Sequence, residues 1–110
     1  MAELNQVLLL GNTTRNPDVR YTREGRAVCS FGMAVNHHYR TRGGDDRQDV
    51  CFVDVEAFGE VAEDCARHGG KGILVLVDGH LRMKQWTDRR TGKQKSKLLV
   101  TADFVQHLPR

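Results

Sequence analysis

The sequence predicts an all-β domain that contains one short helix. Three observations favour this fold class: apolar and polar side chains alternate along most of the chain, turn-forming residues separate the alternating segments, and a single segment changes to a helical period. A chain of 110 residues has room for one domain with its own core, and a hydrophobic content of 39% is typical of a chain that folds. We therefore expect one domain over residues 4–108.

Two strands are predicted in the first third of the chain. Residues 5–12 (NQVLLLGN) form the first strand, and Pro17 begins a turn because its ring fixes φ. A short extended piece at 19–22 and a turn at 23–25 lead to the second strand, Ala27–Asn36. One face of this strand is expected to lie in the core, namely Cys29, Phe31, Met33 and Val35.

The third strand, Val50–Phe58, follows a polar, glycine-containing segment at 41–49 that is expected to be an exposed hairpin tip. Its odd positions are predicted to face the core: Cys51, Val53, Val55 and Ala57. Its even positions are predicted to face water: Phe52, Asp54, Glu56 and Phe58. A pair of partly covered surface phenylalanines or an oligomer contact would also explain the two aromatic rings.

One segment, Glu60–His68, has the period of a helix, because Val61, Ala62, Cys65 and Ala66 form a single apolar stripe. The glycine pair at 69–70 ends this helix. The acidic residues near its start suit the positive end of the helix dipole and need no catalytic explanation.

The last two strands flank a turn at 88–93, where Gly92 is expected to adopt a positive φ. In the strand Ile73–Trp86 one parity is apolar, namely Ile73, Val75, Val77, Leu81 and Met83. The other parity contains Asp78, His80, Arg82, Lys84 and Trp86. With a final strand at 97–105 the order is β-β-β-α-β-β, which predicts a five-stranded Greek-key OB-fold barrel with one short helix between strands 3 and 4.

The charge distribution points to a polyanionic partner. The formal net charge is only +3, but residues 78–97 contain seven lysines and arginines against two acidic residues. Trp86, the only tryptophan, lies within this basic segment. An exposed aromatic ring beside cations favours unpaired nucleic acid, because bases stack on the ring while the phosphates contact the cations.

Other classes of site have little support in the sequence. Three cysteines without a C-x-x-C spacing indicate neither a disulfide framework nor a zinc site, and they suit a reducing cytosol. His37 and His38 are adjacent and would point to opposite faces of a strand, so a shared metal is not expected. No cofactor is predicted. The absence of a signal-type segment or membrane-length apolar run predicts a cytoplasmic protein.

Several separated blocks of the sequence resemble the bacterial-type single-stranded DNA-binding protein (SSB) family. The similarity covers nearly the whole chain, with the blocks NQVLLLGN at 5–12, NPDVRY at 16–21, FGMAVN at 31–36, FGEVAE at 58–63, KG at 71–72 and GHLRMKQWTD at 79–88. This resemblance implies homotetramers of OB-fold domains that bind single-stranded DNA during replication, recombination and repair, with no catalysis and no cofactor.

The resemblance also implies which side chains contact DNA. The base-stacking positions of the family fall on Tyr39, Phe52, Phe58 and Trp86. The phosphate-binding positions fall on Arg20, Arg40, Arg42, Lys71, Arg82 and Lys84. Tyr39 has core parity if the alternation from Val35 is unbroken, so its exposure requires either a bulge or a strand that has left the barrel.

The chain departs from the family pattern at several positions. Phe52 replaces a tryptophan, and Asp54 and Glu56 place negative charge on the expected binding face, which should lower phosphate affinity. The sequence ends at Leu108-Pro109-Arg110 without the flexible acidic-tipped tail through which family members recruit replication and repair proteins.

Two alternative functions remain open. One is a replication-restart accessory protein that resembles primosomal replication protein N, a tail-less dimeric relative. The other is a metal-dependent nuclease that uses Asp54, Glu56 and neighbouring acids, for which a third ligand is not evident. The first strand is apolar on both faces at 7–10, so a subunit interface is expected there. The resemblance implies a homotetramer, whereas composition permits a dimer equally well.

Overall fold

Alternating side chains produce six strands and one helix within residues 3–109, the residues that this computed structural model describes. The elements are β1 (Val7–Thr13), β2 (Asp18–Tyr21), β3 (Ala27–Arg40), β4 (Asp46–Phe58), α1 (Gly59–His68), β5 (Leu74–Thr87) and β6 (Gln94–Leu108).

Five of these strands close into a barrel in the order β1-β5-β6-β4-β3, and β3 returns to β1 through the pairs Asn12↔Ala34 and Thr13↔Met33. The β4–β6 pairing is parallel, and the other pairings are antiparallel. The predicted five-stranded OB-fold barrel is therefore confirmed. The short piece expected at 19–22 is β2, which pairs with β3 along residues 27–30.

The barrel core is built from the predicted inward faces of β3, β4 and β5. Met33, Val55, Val75 and Val77 are fully buried, and α1 contributes Ala62 and Cys65 to the same cluster. Gly79 is needed where β5 meets β6, because a Cβ atom there would collide with the carbonyl oxygen of Thr101. The predicted helix is confirmed, and the Gly69 N–H ends it by donating to the Cys65 carbonyl at 2.8 Å.

The β3–β4 hairpin is longer than the sequence predicted. Its antiparallel register runs without interruption from Val28↔Phe58 to Arg40↔Asp46, so residues 46–49 of the predicted tip are strand and only 41–45 form the turn. The turn itself is short, with the Thr41 N–H donating to the Asp45 carbonyl at 2.8 Å. We call the outer part of this hairpin, residues 36–50, the β3–β4 arm. Backbone pairing tolerates its polar side chains because both faces of the arm contact water.

Two predictions about core faces were wrong at the outer ends of the strands. Cys51 is exposed, and so are Leu81 (43% exposed) and Met83 (51% exposed). The alternation predicted their parity, but the strands extend beyond the barrel and nothing in the single chain covers these positions. Opposite Met83 in the ladder, Leu98 is 57% exposed for the same reason.

The β5–β6 hairpin confirms the predicted turn, with Gly92 at a φ of 71°. The ladder shifts register once, between Asp78 and Gly79, where Asp103 of β6 is the extra residue of a bulge. From Gly79 to Thr87 the pairing is continuous, so the alternation of β5 is preserved up to Trp86. Within residues 3–109 the single helix is too short and too polar to cross a lipid bilayer.

Candidate nucleic-acid interface

One face of the β4–β6–β5 sheet turns away from the core, and we call it the outer face. Its β4 residues are Phe52, Asp54, Glu56 and Phe58, and its β5 and β6 residues are Arg82, Lys84, Trp86, Lys95, Lys97 and Thr101. The strand registers align these residues, because Lys84 lies opposite Lys97, Trp86 lies opposite Lys95, and Glu56 lies beside Thr101.

Phe58, the last residue of β4, lies at one end of the outer face. The register places it in one row with Val28 and Arg20, so Arg20 projects from the same side of the sheet. The guanidinium carbons of Arg26 and Arg82 lie 5.1 and 5.9 Å from the centre of the Phe58 ring. Two cations thus flank a half-buried aromatic ring, an arrangement that cation–π attraction stabilises.

Glu56, two residues before Phe58, contacts two basic side chains of β5. Arg82 Nη2 donates to Glu56 Oε1, and Lys84 Nζ donates to Glu56 Oε2 at 2.8 Å. Arg82 is held further by its Nε atom, which donates to Thr101 Oγ1 at 3.0 Å. Glu56 is only 6% exposed, so the prediction that this side chain faces water was wrong. Its two cationic partners explain how a carboxylate can be buried there.

Asp54 forms a second ionic cluster on the same face. Lys97 Nζ and Arg15 Nη1 both contact its carboxylate, the latter at 3.3 Å. The hydrogen bond from Lys97 lowers the pKa of the Asp54 carboxyl below its ordinary value, and Arg15 acts in the same direction. Asp54 is therefore a charged partner of both cations at neutral pH.

The remaining aromatic rings of the outer face are open to solvent. Phe52 is 74% exposed and Trp86 is 42% exposed, and both lie on the face that the alternation predicted. A cleft of about 370 Å³ beside Phe52 has apolar walls from Leu81 and Leu98 and a polar edge from Asp54 and Lys97.

The β3–β4 arm holds three further predicted contacts at some distance from this face. Tyr39 is 42% exposed and stacks on His37, with the two ring centres 5.8 Å apart. The uninterrupted register means that no bulge exposes Tyr39: the strand has left the barrel, and Tyr39 lies on the opposite face of the ladder from Phe52. Arg40 contacts Asp46 at 3.3 Å, and Arg42 is exposed in the turn.

Lys71 is exposed in the turn between α1 and β5. Its backbone N–H donates to Asn16 Oδ1 at 2.9 Å, which ties this turn to the segment between β1 and β2. Lys71 therefore joins neither the outer face nor the β3–β4 arm.

Sequence reasoning missed several cations of the outer face. Lys95 and Lys97 could have been found from the turn at 88–93, because a hairpin centred there places them opposite Trp86 and Lys84. The sequence gives no comparable indication for Arg15 and Arg26. They lie in the loops between β1 and β2 and between β2 and β3, and the positions of these loops depend on how the barrel closes. The four aromatic and six basic contacts named from the sequence stay predictions.

Asp54 and Glu56 do share one face, as the nuclease hypothesis required. Both carboxylates contact basic side chains, and residues 3–109 contain no group of three or more His, Cys, Asp or Glu side chains that could hold a metal ion. Two-metal chemistry requires more convergent carboxylates than this face provides.

Known proteins resemble this chain in both sequence and fold. Residues 4–108 match the Single-strand binding protein family. The single-stranded DNA-binding protein of Wolinella succinogenes is 39% identical over 104 residues, which are 94% of this chain and 64% of that protein. The chain thus spans less than two thirds of this curated relative.

Solved structures give the same result. The wild-type single-stranded DNA-binding protein from Thermus aquaticus matches with a TM-score of 0.81 and 33% identity, over 96% of this chain and 50% of that chain. The Plasmodium falciparum SSB, solved in complex with ssDNA, shares the fold, with a TM-score of 0.85 and 20% identity over 99% of this chain and 98% of that chain. The similarities to the W. succinogenes and T. aquaticus proteins favour the single-strand binding hypothesis over the primosomal alternative. The chain belongs to the single-strand binding protein family.

Proposed function

We propose that this domain binds single-stranded DNA without strong sequence preference and protects it during replication, recombination and repair. The observation that carries this proposal is the outer face, where the exposed rings of Phe52 and Trp86 and the half-buried ring of Phe58 lie among cations. The names of the W. succinogenes and T. aquaticus proteins support the same ligand.

The proposed mechanism is binding and not turnover. Unpaired bases stack on Phe52, Phe58 and Trp86, while Arg20, Arg82 and Lys84 contact phosphates and displace counterions. Every base has a π face, so stacking tolerates any sequence, whereas a duplex keeps its bases stacked on one another. Tyr39, Arg40, Arg42 and Lys71 extend the path of the strand beyond the outer face. Neither a cofactor nor a metal takes part in these contacts.

We further propose that the chain assembles as a homotetramer. The side of β1 that points away from the core carries Leu8 (65% exposed) and Leu10 (52% exposed). Phe104, 53% exposed, lies in the same row of the sheet as Leu8, with Asp78 between them, and adds a further exposed apolar side chain to this side of the barrel. An apolar surface of this kind is typical of a subunit contact. We also propose replication and repair proteins as partners.

The cytoplasm is the proposed compartment. All three cysteines are free thiols, which fits a reducing environment, and single-stranded DNA would be met there.

A direct test compares a labelled oligo-dT with a duplex of matched length by fluorescence anisotropy at low and high salt, with and without Mg²⁺. The proposal requires much tighter binding of oligo-dT and a loss of affinity as salt rises. Equal affinity for the duplex would contradict the stacking mechanism, and Mg²⁺-dependent cleavage of the oligonucleotide would support the nuclease instead.

A further inference from the structure

The four β4 side chains of the outer face follow an unusual pattern: an aromatic ring, two carboxylates and a second aromatic ring, in the order Phe52, Asp54, Glu56, Phe58. Successive members lie about 7 Å apart along the strand, because they are two residues apart. The two carboxylates therefore lie between the rings proposed to stack on bases, where the phosphates of a bound strand would pass.

Both carboxylate groups are already neutralised by the protein itself. Glu56 uses one oxygen for Arg82 and the other for Lys84, and Asp54 uses its two oxygens for Arg15 and Lys97. Four cations thus share two anions. Two of the four, Arg82 and Lys84, are predicted phosphate contacts.

Glu56 differs from Asp54 in its burial. It is 6% exposed, while the side chain of Asp54 is 33% exposed. A buried carboxylate with two charged hydrogen-bond partners is held firmly, because separating them would leave an unpaired charge in a poorly hydrated position. Arg82 is fixed from a second side by Thr101, so its guanidinium stays beside the Phe58 ring.

We infer that Glu56 is a positioning residue that acts as a built-in counterion of the DNA-binding face. This inference rests on the proposed function and concerns its regulation by salt. Glu56 holds Arg82 and Lys84 in place in the free protein and cancels part of their charge. A DNA phosphate that contacts Arg82 or Lys84 then shares that cation with Glu56. Binding therefore releases fewer counterions from the DNA than the number of basic side chains on the outer face would suggest. The consequence is a binding affinity that depends less steeply on salt.

The test measures the slope of log K against log salt concentration for oligo-dT between about 50 and 200 mM NaCl. Glu56→Gln keeps the shape of the side chain and removes its charge, which frees one or two cations for phosphate. Since each phosphate contact to a single strand contributes about 0.7 to the slope, we expect Glu56→Gln to steepen it by about 0.7 to 1.4 and to tighten binding at low salt. Glu56→Asp keeps the charge and should keep the slope near that of the wild type.

Glu63→Gln is the matched control, because it makes the same change in net charge at an exposed position of α1. It should leave the slope unchanged. Equal slopes for Glu56→Gln and Glu63→Gln would overturn the inference while leaving single-strand binding intact. A wild-type protein that fails to bind oligo-dT would instead refute the proposed function, and the inference with it.

A second measurement does not depend on the folding of the Glu56 variants. Lys84 is paired with Glu56, whereas Lys95, also on the outer face, has no ion-pair partner among residues 3–109. Lys95→Gln should reduce the steepness of the slope by about 0.7, and Lys84→Gln should reduce it by less, because the charge of Lys84 is already partly cancelled. Equal reductions would show that Glu56 does not act as a counterion.

Discussion

Trp86 lies directly opposite Lys95 in the β5–β6 ladder, on the face that also carries Lys84 and Lys97. The only tryptophan of the chain is therefore an exposed ring surrounded by lysines. The proposed function accounts for so large an apolar side chain in the most basic segment: the ring would offer a stacking surface, and the ammonium groups would contact the phosphates that accompany the stacked bases.

Replacing Trp86 should affect binding and not folding. Because the ring is 42% exposed, we expect Trp86→Ala to weaken oligo-dT binding by about 1 to 3 kcal/mol with little change in the melting temperature. Anisotropy titration and a thermal melt measure the two effects. Trp86→Phe, which keeps a smaller ring, should lose less affinity than Trp86→Ala. Severe unfolding of Trp86→Ala would mean that the ring is part of the core.

The stability of the fold should fall in mild acid because of His107. Burial lowers the pKa of His107 below 6.5, and the neighbouring His68 imidazole lowers it further. The unfolded chain therefore binds a proton more readily than the folded chain, so this contribution to stability is complete above pH 6.5 and is lost as the pH falls through 6.5 towards the folded pKa.

Thermal melts from pH 7.5 downwards check this expectation. His107→Asn should flatten the dependence of the melting temperature on pH, while His38→Asn, at an exposed position, should leave it unchanged. An identical pH dependence in the wild type and His107→Asn would show that His107 is not the responsible group.

Thiol reactivity should distinguish Cys51 from the other two cysteines. Cys51 is exposed, whereas Cys29 and Cys65 are buried, and the hydrogen bond with Cys29 together with burial raises the pKa of the Cys65 thiol. Since the thiolate is the reactive form, one equivalent of a thiol reagent such as DTNB should react rapidly with the native protein. Denaturant should make the thiols of Cys29 and Cys65 accessible to the reagent, and Cys51→Ser should abolish the rapid phase. Rapid reaction of more than one thiol in the native state would contradict the burial of the helix–barrel contact.

The apolar surface of β1 should control assembly. We expect the wild type to have about four times the 12.4 kDa mass of one chain, and Leu10→Glu to reduce that mass, because a buried carboxylate without a partner is costly at a subunit contact. Size exclusion with light scattering measures both masses. Val50→Glu, at an exposed position of the β3–β4 arm, is the control that should keep the wild-type mass. A monomeric wild type would refute the tetramer.

The alternation of side chains was sufficient to predict the barrel, the helix and the outer face of β4 and β5. It did not predict burial correctly at Cys51, Leu81 and Met83, where the strands extend beyond the barrel. Periodicity indicates which face of a strand a residue occupies, but not whether another element covers that face. It also placed Glu56 in water, since the partners that allow its burial, Arg82 and Lys84, come from a strand far away in sequence. The position of Tyr39 required the register of the whole β3–β4 ladder.

The proposed stacking of unpaired bases on exposed rings beside cations can be followed directly through the intrinsic fluorescence of Trp86. Titration with oligo-dT should quench this fluorescence to saturation, and added salt should restore it. Heparin, a polyanion without bases, and a duplex of matched length are the controls, and each should cause much less quenching. Strong quenching by heparin, or none by oligo-dT under conditions where anisotropy detects binding, would contradict stacking on Trp86.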